Sequence, residues 1–332
     1  MPVRNEADYI EQAITAVLEQ DYEAPIEVIV ADGMSDDGTR DVIDRLRART
    51  RDSDRHVTVL DNPARTTPAA LNRALARCRG AVIVRVDGHC VIPRHYVRRC
   101  VELLETTGAA CVGGTLETVG ETTTARAVAA AQSSWFGVGG AAFRVGRSRA
   151  GPVDTVAFGA YRREVFERLG QFDEDLVRNQ DDEFNFRLRR AGEVIWLDPS
   201  VTSRYYSRAD LRSLWRQYHD YGLYKVLVMR KHGQVAAARH VVPAAFVASL
   251  LVAAGVAVIR QRWAPLVFVA GAHSAVNAAS SAAATRRGGG GFGLVFAAHA
   301  VLHVAYGVGT LRGVWQWRSY SSPQREPLGT AT

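Results

Sequence analysis

The 332-residue chain has few of the features that mark other functional classes. Its four cysteines, Cys78, Cys90, Cys100 and Cys111, contain no C-x-x-C pair. That spacing gives no cysteine-based zinc knuckle and fits a reducing cytosol. The nine histidines do not cluster as zinc ligands would. Gly288 to Gly291 is followed by no Lys-Ser or Lys-Thr, so it reads as a linker and not a phosphate loop. With 41 basic and 34 acidic residues the net charge is +7. No zinc spacing, helix-turn-helix signature or aromatic RNA-binding motif accompanies that charge, so a membrane surface is the expected partner, not nucleic acid.

Two stretches share one design. Val28-Ile-Val-Ala-Asp32-Gly33 and Ala81-Val-Ile-Val-Arg-Val-Asp87-Gly88-His89 are short, β-branched runs that end in an acidic turn. Each reads as a buried parallel strand whose carboxyl end places an Asp in the crevice where open α/β sheets bind ligands. Asp36, Asp37 and Thr39 are placed to cap a helix beginning near Arg40. That capping alone would account for the first turn. In the second, Gly88 leaves room for close approach, and a carboxylate and an imidazole two residues apart can reach one divalent cation or its bound phosphate. Farther on, Asn179-Gln-Asp181-Asp182-Glu183-Phe opens a helical pattern running to Gly192. Acids there suit the positive end of the helix dipole, whatever else they do.

Taken in order, Met-Pro-Val-Arg-Asn-Glu (residues 1–6), Asp32-Gly-Met-Ser-Asp-Asp-Gly-Thr, Asp87-Gly-His and the 179–192 motif resemble the family-2 inverting glycosyltransferases of GT-A fold. The likeness is greatest to membrane-anchored, succinoglycan-type glucosyltransferases of exopolysaccharide assembly, and covers residues 1 to about 232. The resemblance implies an α/β GT-A domain, a Rossmann-like, mostly parallel sheet that binds a nucleotide-diphospho-sugar.

It also implies roles. Pro2, Arg4 and Glu6 belong to the first donor motif. Asp32 matches the Asp that meets the uracil edge of a UDP-sugar, and Arg65 a base or diphosphate contact. Asp87 and His89 match the ends of the metal-binding DxD signature, with Asp87 also at the ribose. The imidazole shifts the expected cation toward Mn2+ over Mg2+ and makes binding fail as His89 is protonated. Asp181 matches the catalytic base, with Gln180 where relatives carry Glu. Three successive acids should repel one another and raise at least one pKa. Asp182, Arg216, Gln217 and Tyr218 are weaker candidates for the acceptor or diphosphate. Gln217-Tyr-His-Asp-Tyr-Gly stands where processive synthases carry Gln-x-x-Arg-Trp and lacks the Arg-Trp, which implies one sugar added per acceptor.

The organisation expected is a catalytic domain over 1–207, an amphipathic connector over 208–240, three membrane helices near 241–259, 264–284 and 292–311, and a polar tail over 312–332. The first of these spans is 19 residues without a charge, about 28 Å as a helix. The connector carries Leu211, Leu214, Trp215, Tyr218 and Tyr221 among Arg212, Arg216, Lys225 and Arg230. It either lies in the headgroup layer or packs on the catalytic domain. His299 and His303 are expected to serve bundle packing. Gly137–Gly140 and Gly146–Gly151, with Arg144, Arg147 and Arg149, read as a mobile stretch whose arginines either close on diphosphate or are solvated. Flanking charges give little orientation bias. A multi-pass membrane protein with a cytosolic catalytic domain is inferred from the resemblance and from the lack of an N-terminal signal segment.

The function expected is transfer of a hexose, glucose by resemblance, from UDP-sugar to a lipid-linked saccharide. Transfer to a polyprenyl phosphate, or a non-catalytic scaffold, are the alternatives. Met1-Pro2-Val3 stands where relatives have a longer apolar strand, so the expectation is an upstream start or a gap in the sheet.

Overall fold

The computed structural model describes residues 1–50, 54–146, 149–235 and 237–320; Arg147 and the 321–332 part of the expected tail lie outside them. The first half alternates β1 (Pro2–Val3), α1 (Ile10–Leu18), β2 (Val28–Asp32), α2 (Thr39–Arg49), β3 (Val57–Asp61) and α3 (Thr67–Leu75). The three strands are parallel in the order β1-β2-β3, and Val3, Asp32 and Asp61 stand level at their carboxyl ends. Every residue of β2 is buried, as a continuous apolar run in a parallel sheet requires. The α1 face of Ile10, Ala13, Ile14 and Val17 is buried in the core.

The second half runs β4 (Val82–Val84), β5 (Cys90–Val91), α4 (Tyr96–Thr107), β6 (Cys111–Val119), α5 (Thr123–Gln132), α6 (Trp135–Val138), α7 (Ala142–Val145), β7 (Gly151–Pro152), β8 (Ala157–Arg162), α8 (Glu164–Leu169), α9 (Gln180–Arg190) and β9 (Ile195–Tyr206). Its sheet order is β4-β8-β6-β9-β5, with β7 on β9, and it is mixed: β6 and β9 are parallel and the other pairs antiparallel. Gly114 sits where the β6/β9 register shifts, and a Cβ there would lie 1.1 Å from the Val201 carbonyl oxygen.

One strand differs from expectation. β4 is half-buried and pairs antiparallel with β8, without a parallel neighbour among the described residues. Two-residue β1 extends only from Pro2 to Val3 along β2, and the two sheets stay separate. A largely apolar cavity of ≈ 520 Å³ is lined by Ile29 of β2, Val82 and Val84 of β4, and Met1, Leu71 and Tyr161.

The remaining chain is helical: α10 (Leu211–His232), a 3-10 turn (Ala238–His240), α11 (Val242–Arg260), α12 (Ala264–Arg286) and α13 (Phe292–Gln316). The last three are each long and apolar enough to cross a membrane. Of the two settings open to the connector, α10 takes the packed one. Lys225 pairs with Asp182, Lys231 with Asp173 and Asp175 at 2.5 and 2.8 Å, and the rest of its buried face lies along α13. Glycines make that approach close. A Cβ on Gly222 would meet the Tyr306 carbonyl oxygen at 2.1 Å, and one on Gly309 the His219 carbonyl oxygen at 2.0 Å. Gly309→Ala should therefore push α10 and α13 apart and cost about 1 to 3 kcal/mol. An unchanged melting temperature of that variant in detergent would contradict the packing.

Within the bundle His299 bonds Ser134 at 2.7 Å and Ser281 at 3.1 Å, while His303 bonds His273 at 2.9 Å and the Phe136 carbonyl at 2.8 Å. Both serve packing between helices.

Candidate active site

The residues that follow β4 and the amino end of α9 line one cavity of ≈ 680 Å³. Asn179, at the N-cap of α9, has φ 63°, in the left-handed region that Asn tolerates, and its Nδ2 donates to the Tyr221 carbonyl at 2.9 Å. This tie fixes the first turn of α9 against α10 and delivers Asp181 into the cavity. Asp87 reaches it from the end of the β4 run.

Arg85 joins the two acids. Its Nε and Nη2 donate to Asp87 at 2.9 and 3.1 Å, and its Nη1 donates to Asp181 at 3.1 Å. The guanidinium side chain is only 10% exposed. Burial would lower its pKa, but Asp87 and Asp181 outweigh burial and raise it. Burial would likewise raise the Asp87 carboxyl, and Arg85 holds it below its ordinary range. The signal was visible: an Arg two residues before Asp87, in an otherwise apolar strand, shares its face.

The neighbouring acids separate by partner. Asp182 is bound to Lys225, and Glu183, 1% exposed, accepts from Arg187 at 2.9 and 3.1 Å and bonds His232 at 2.9 Å. Burial opposes ionisation of both, yet Lys225 for Asp182, and His232 with Arg187 for Glu183, hold each carboxyl below its ordinary value. The expectation that mutual repulsion raises a pKa fails for these two, because each has its own cation. Glu183 therefore contributes stability that is complete above its unfolded value near 4.5 and lost as pH falls through its lower folded value. The melting temperature should drop from pH 6 to pH 3.5, with a shallower slope in Glu183→Gln.

Among the other predicted residues, Pro2, Arg4, Glu6, Arg65, Asp87, His89 and Gln217 line the same cavity, and Tyr218 lines a second one beside it. Asp32 is buried just behind the wall, which Gly33 forms; its carboxylate accepts from Ser35 Oγ at 2.5 Å and lies 3.8 Å from Arg40. Asp37 accepts from Thr39 N and Oγ1 at 3.0 and 2.6 Å and so organises the start of α2. Arg216 is exposed, bonds Ser213 at 3.1 Å and lines neither cavity. The sequence reading overlooked Arg178 and Arg208, which add positive charge to the cavity wall, and Arg85.

His89 bonds Glu6 Oε1 through Nδ1 at 2.8 Å, the orienting contact that metal-ligating histidines use, and Nε2 has no bond among the described residues. Asp87 and His89 both line the cavity, and no cluster of three or more His, Cys, Asp or Glu suited to a metal occurs among the described residues. Two protein ligands would suit a cation whose other positions are filled by diphosphate and water. Cys90 is buried in the core, which pushes its thiol up and keeps it protonated.

A polar cavity at strand ends, lined by Asp87, Asp181 and several arginines, is the site that the comparisons with known proteins classify. The chain belongs to glycosyl transferase family 2, whose description matches residues 1–170. It is 33% identical over 325 residues to succinoglycan biosynthesis protein ExoA of Rhizobium meliloti (strain 1021), covering 96% of this chain and 94% of that one. Over 238 residues it is 26% identical to the dolichyl N-acetyl-alpha-D-glucosaminyl phosphate 3-beta-D-2,3-diacetamido-2,3-dideoxy-beta-D-glucuronosyltransferase of Methanococcus voltae, covering 70% of this chain and 73% of that one. The fold resembles the mannosyltransferase PcManGT from Pyrobaculum calidifontis, solved with GDP-Man and Mn2+: TM-score 0.58, 20% identity, 95% of this chain and 86% of that one.

Proposed function

We propose that the protein is a membrane-bound inverting glycosyltransferase that moves a hexose from a UDP-sugar to a lipid-linked saccharide in extracellular or cell-wall polysaccharide assembly. The observation that carries this reading is the meeting of two cavities at the acids: Arg85, Asp87, Asn179, Asp181, Tyr205 and Tyr221 line both the polar cavity and a larger apolar one against α11, α12 and α13. Donor and acceptor can thus approach Asp181 from opposite sides. The likeness to ExoA, a succinoglycan biosynthesis protein, supports the polysaccharide class, and glucose is the sugar we assign by that likeness.

Asp181 takes the proton of the acceptor hydroxyl as the new C1–O bond forms and the bond to UDP breaks with its electron pair. One displacement inverts C1. Arg85 aims the Asp181 carboxylate and keeps a fixed positive charge beside the leaving diphosphate. Arg4, Arg65, Arg178 and Arg208 line the cavity where the diphosphate lies. Asp87 and His89 would hold a divalent cation, Mn2+ or Mg2+, as PcManGT's Mn2+ suggests; when bound it offsets charge on the departing UDP. The catalytic domain is assigned to the cytosol, where nucleotide sugars are made.

Membranes containing the full chain, offered a panel of nucleotide sugars and extracted lipid acceptors, test the function. Turnover of no UDP-sugar with any lipid would refute it. For the cation, His89→Ala should weaken manganese-dependent UDP binding about tenfold or more by calorimetry, whereas Cys90→Ala should not. Equal UDP affinity in manganese and in chelator would remove the metal from the mechanism.

A further inference from the structure

Asp181 is held at both of its carboxylate oxygens. Arg85 Nη1 donates to Oδ2 at 3.1 Å, and the backbone N–H of Asp182 donates to Oδ1 at 2.9 Å. The first contact comes from the end of the β4 run. The second is only as fixed as residue 182 itself, which stands in the first turn of α9 behind an N-cap in the left-handed region. A residue other than glycine keeps that conformation only where its surroundings hold it.

Helix α10 supplies the hold. The Tyr221 carbonyl accepts from Asn179 Nδ2 at 2.9 Å, Lys225 Nζ donates to Asp182 Oδ2, and His232 Nε2 bonds Glu183 at 2.9 Å. Positions 221, 225 and 232 share one face of a helix, so that face grips Asn179, Asp182 and Glu183 together. The opposite face of α10 meets α13 through bare backbone. A Cβ on Gly313 would lie 2.7 Å from the Leu223 carbonyl oxygen, and Gly222 and Gly309 approach Tyr306 and His219 as closely as described above. No flexible side chain lies at those contacts to absorb a shift, so a displacement of α13 reaches α10.

Within this arrangement Lys225 has no evident role in stability. It is 4% exposed, and the Asp182 side chain is 19% exposed. A buried ion pair of this kind typically breaks even against a well-packed apolar pair of the same size. What the pair does supply is a fixed direction for residue 182. We propose, on the transferase reading above, that Lys225 is a positioning residue for the base. Through Asp182 it fixes the amide that aims Asp181, and α10 thereby ties the seating of membrane helix α13 to the catalytic turn. Sugar transfer then requires a catalytic domain docked on its helical bundle, whereas UDP binding does not.

The test uses the full-length protein in nanodiscs and compares wild type with Lys225→Met, with Lys225→Met combined with Asp182→Leu, and with Gly309→Ala. The double variant removes both charges and so leaves no uncompensated buried carboxylate. Transfer from labelled UDP-glucose to lipid extract is expressed as kcat per UDP-binding molecule, so that unfolded protein is not counted. Both Lys225 variants should lose about 10- to 100-fold in kcat, the range of a misplaced catalytic group, with KM for UDP-glucose and UDP affinity unchanged. Gly309→Ala should shift kcat in the same direction. Amide hydrogen exchange over residues 179–183 should be faster than in wild type in all three variants, with exchange in β2 unchanged. A merely structural role would lower the number of UDP-binding molecules and leave kcat per molecule at the wild-type value. That result in the double variant or in Gly309→Ala would overturn the proposal, as would wild-type exchange over 179–183 in either. Wild type that binds UDP yet transfers no sugar would refute the transferase reading, and the exchange comparison would still decide whether α13 is tied to the first turn of α9.

Discussion

Asp181→Asn is expected to bind UDP as wild type does and to lose sugar transfer by about 100- to 10,000-fold, the usual range for a lost general base. The amide keeps the shape and can still meet Arg85, but it cannot take a proton. Arg85 keeps Asp87 as a charged partner when Asp181 is neutralised, so donor binding should persist. Asp182→Asn is the control. Its carboxylate is bound to Lys225, so its loss should act on stability first. Near-normal transfer by Asp181→Asn with an inactive Asp182→Asn would move the base by one residue.

The second large effect is expected of Arg85→Met. This change keeps an unbranched apolar stem and removes the charge that Asp87 and Asp181 share. Removing one partner of a buried ion pair typically costs about 3 to 5 kcal/mol, and the lower figure applies here because Asp181 is 35% exposed. Transfer should fall with stability, since Asp181 loses the hydrogen bond that aims it. Arg85→Lys should recover part of the stability and less of the activity, because an ammonium cannot reproduce the fork that reaches both carboxylates. A folded, fully active Arg85→Met would show that the bridge between the two acids is incidental.

Much of the site could be read from local pattern. Asp87 follows an apolar run and Asp181 opens an amphipathic one, so strand end and helix start place them without knowledge of the rest of the chain. The three apolar helices were legible because long stretches without charge leave few alternatives, and they form over Val242–Arg260, Ala264–Arg286 and Phe292–Gln316. What pairs with what was less accessible. The acids of α9 looked mutually repulsive because Lys225 and His232 are brought to Asp182 and Glu183 by the fold, Lys225 from 43 residues away, and because the i,i+4 pair of Glu183 with Arg187 was passed over. β4 looked like a parallel strand because its composition says nothing about its neighbour, which is antiparallel β8. Arg144 sits among glycines that suggested a loose loop, and only the packing of α6, α7 and the membrane helices turns it inward. The fit of α10 to α13 depends on glycine contacts between residues more than 80 apart in the chain, such as Gly222 and Tyr306.

The account stands or falls most directly on whether labelled sugar enters lipid. Membranes holding the full chain, supplied with labelled UDP-glucose, manganese and lipid extract, should accumulate label in the organic phase. The label should be absent with Asp181→Asn and with chelator. Wild-type membranes that bind UDP-glucose but release only free sugar, or that label lipid equally well with Asp181→Asn, would contradict it.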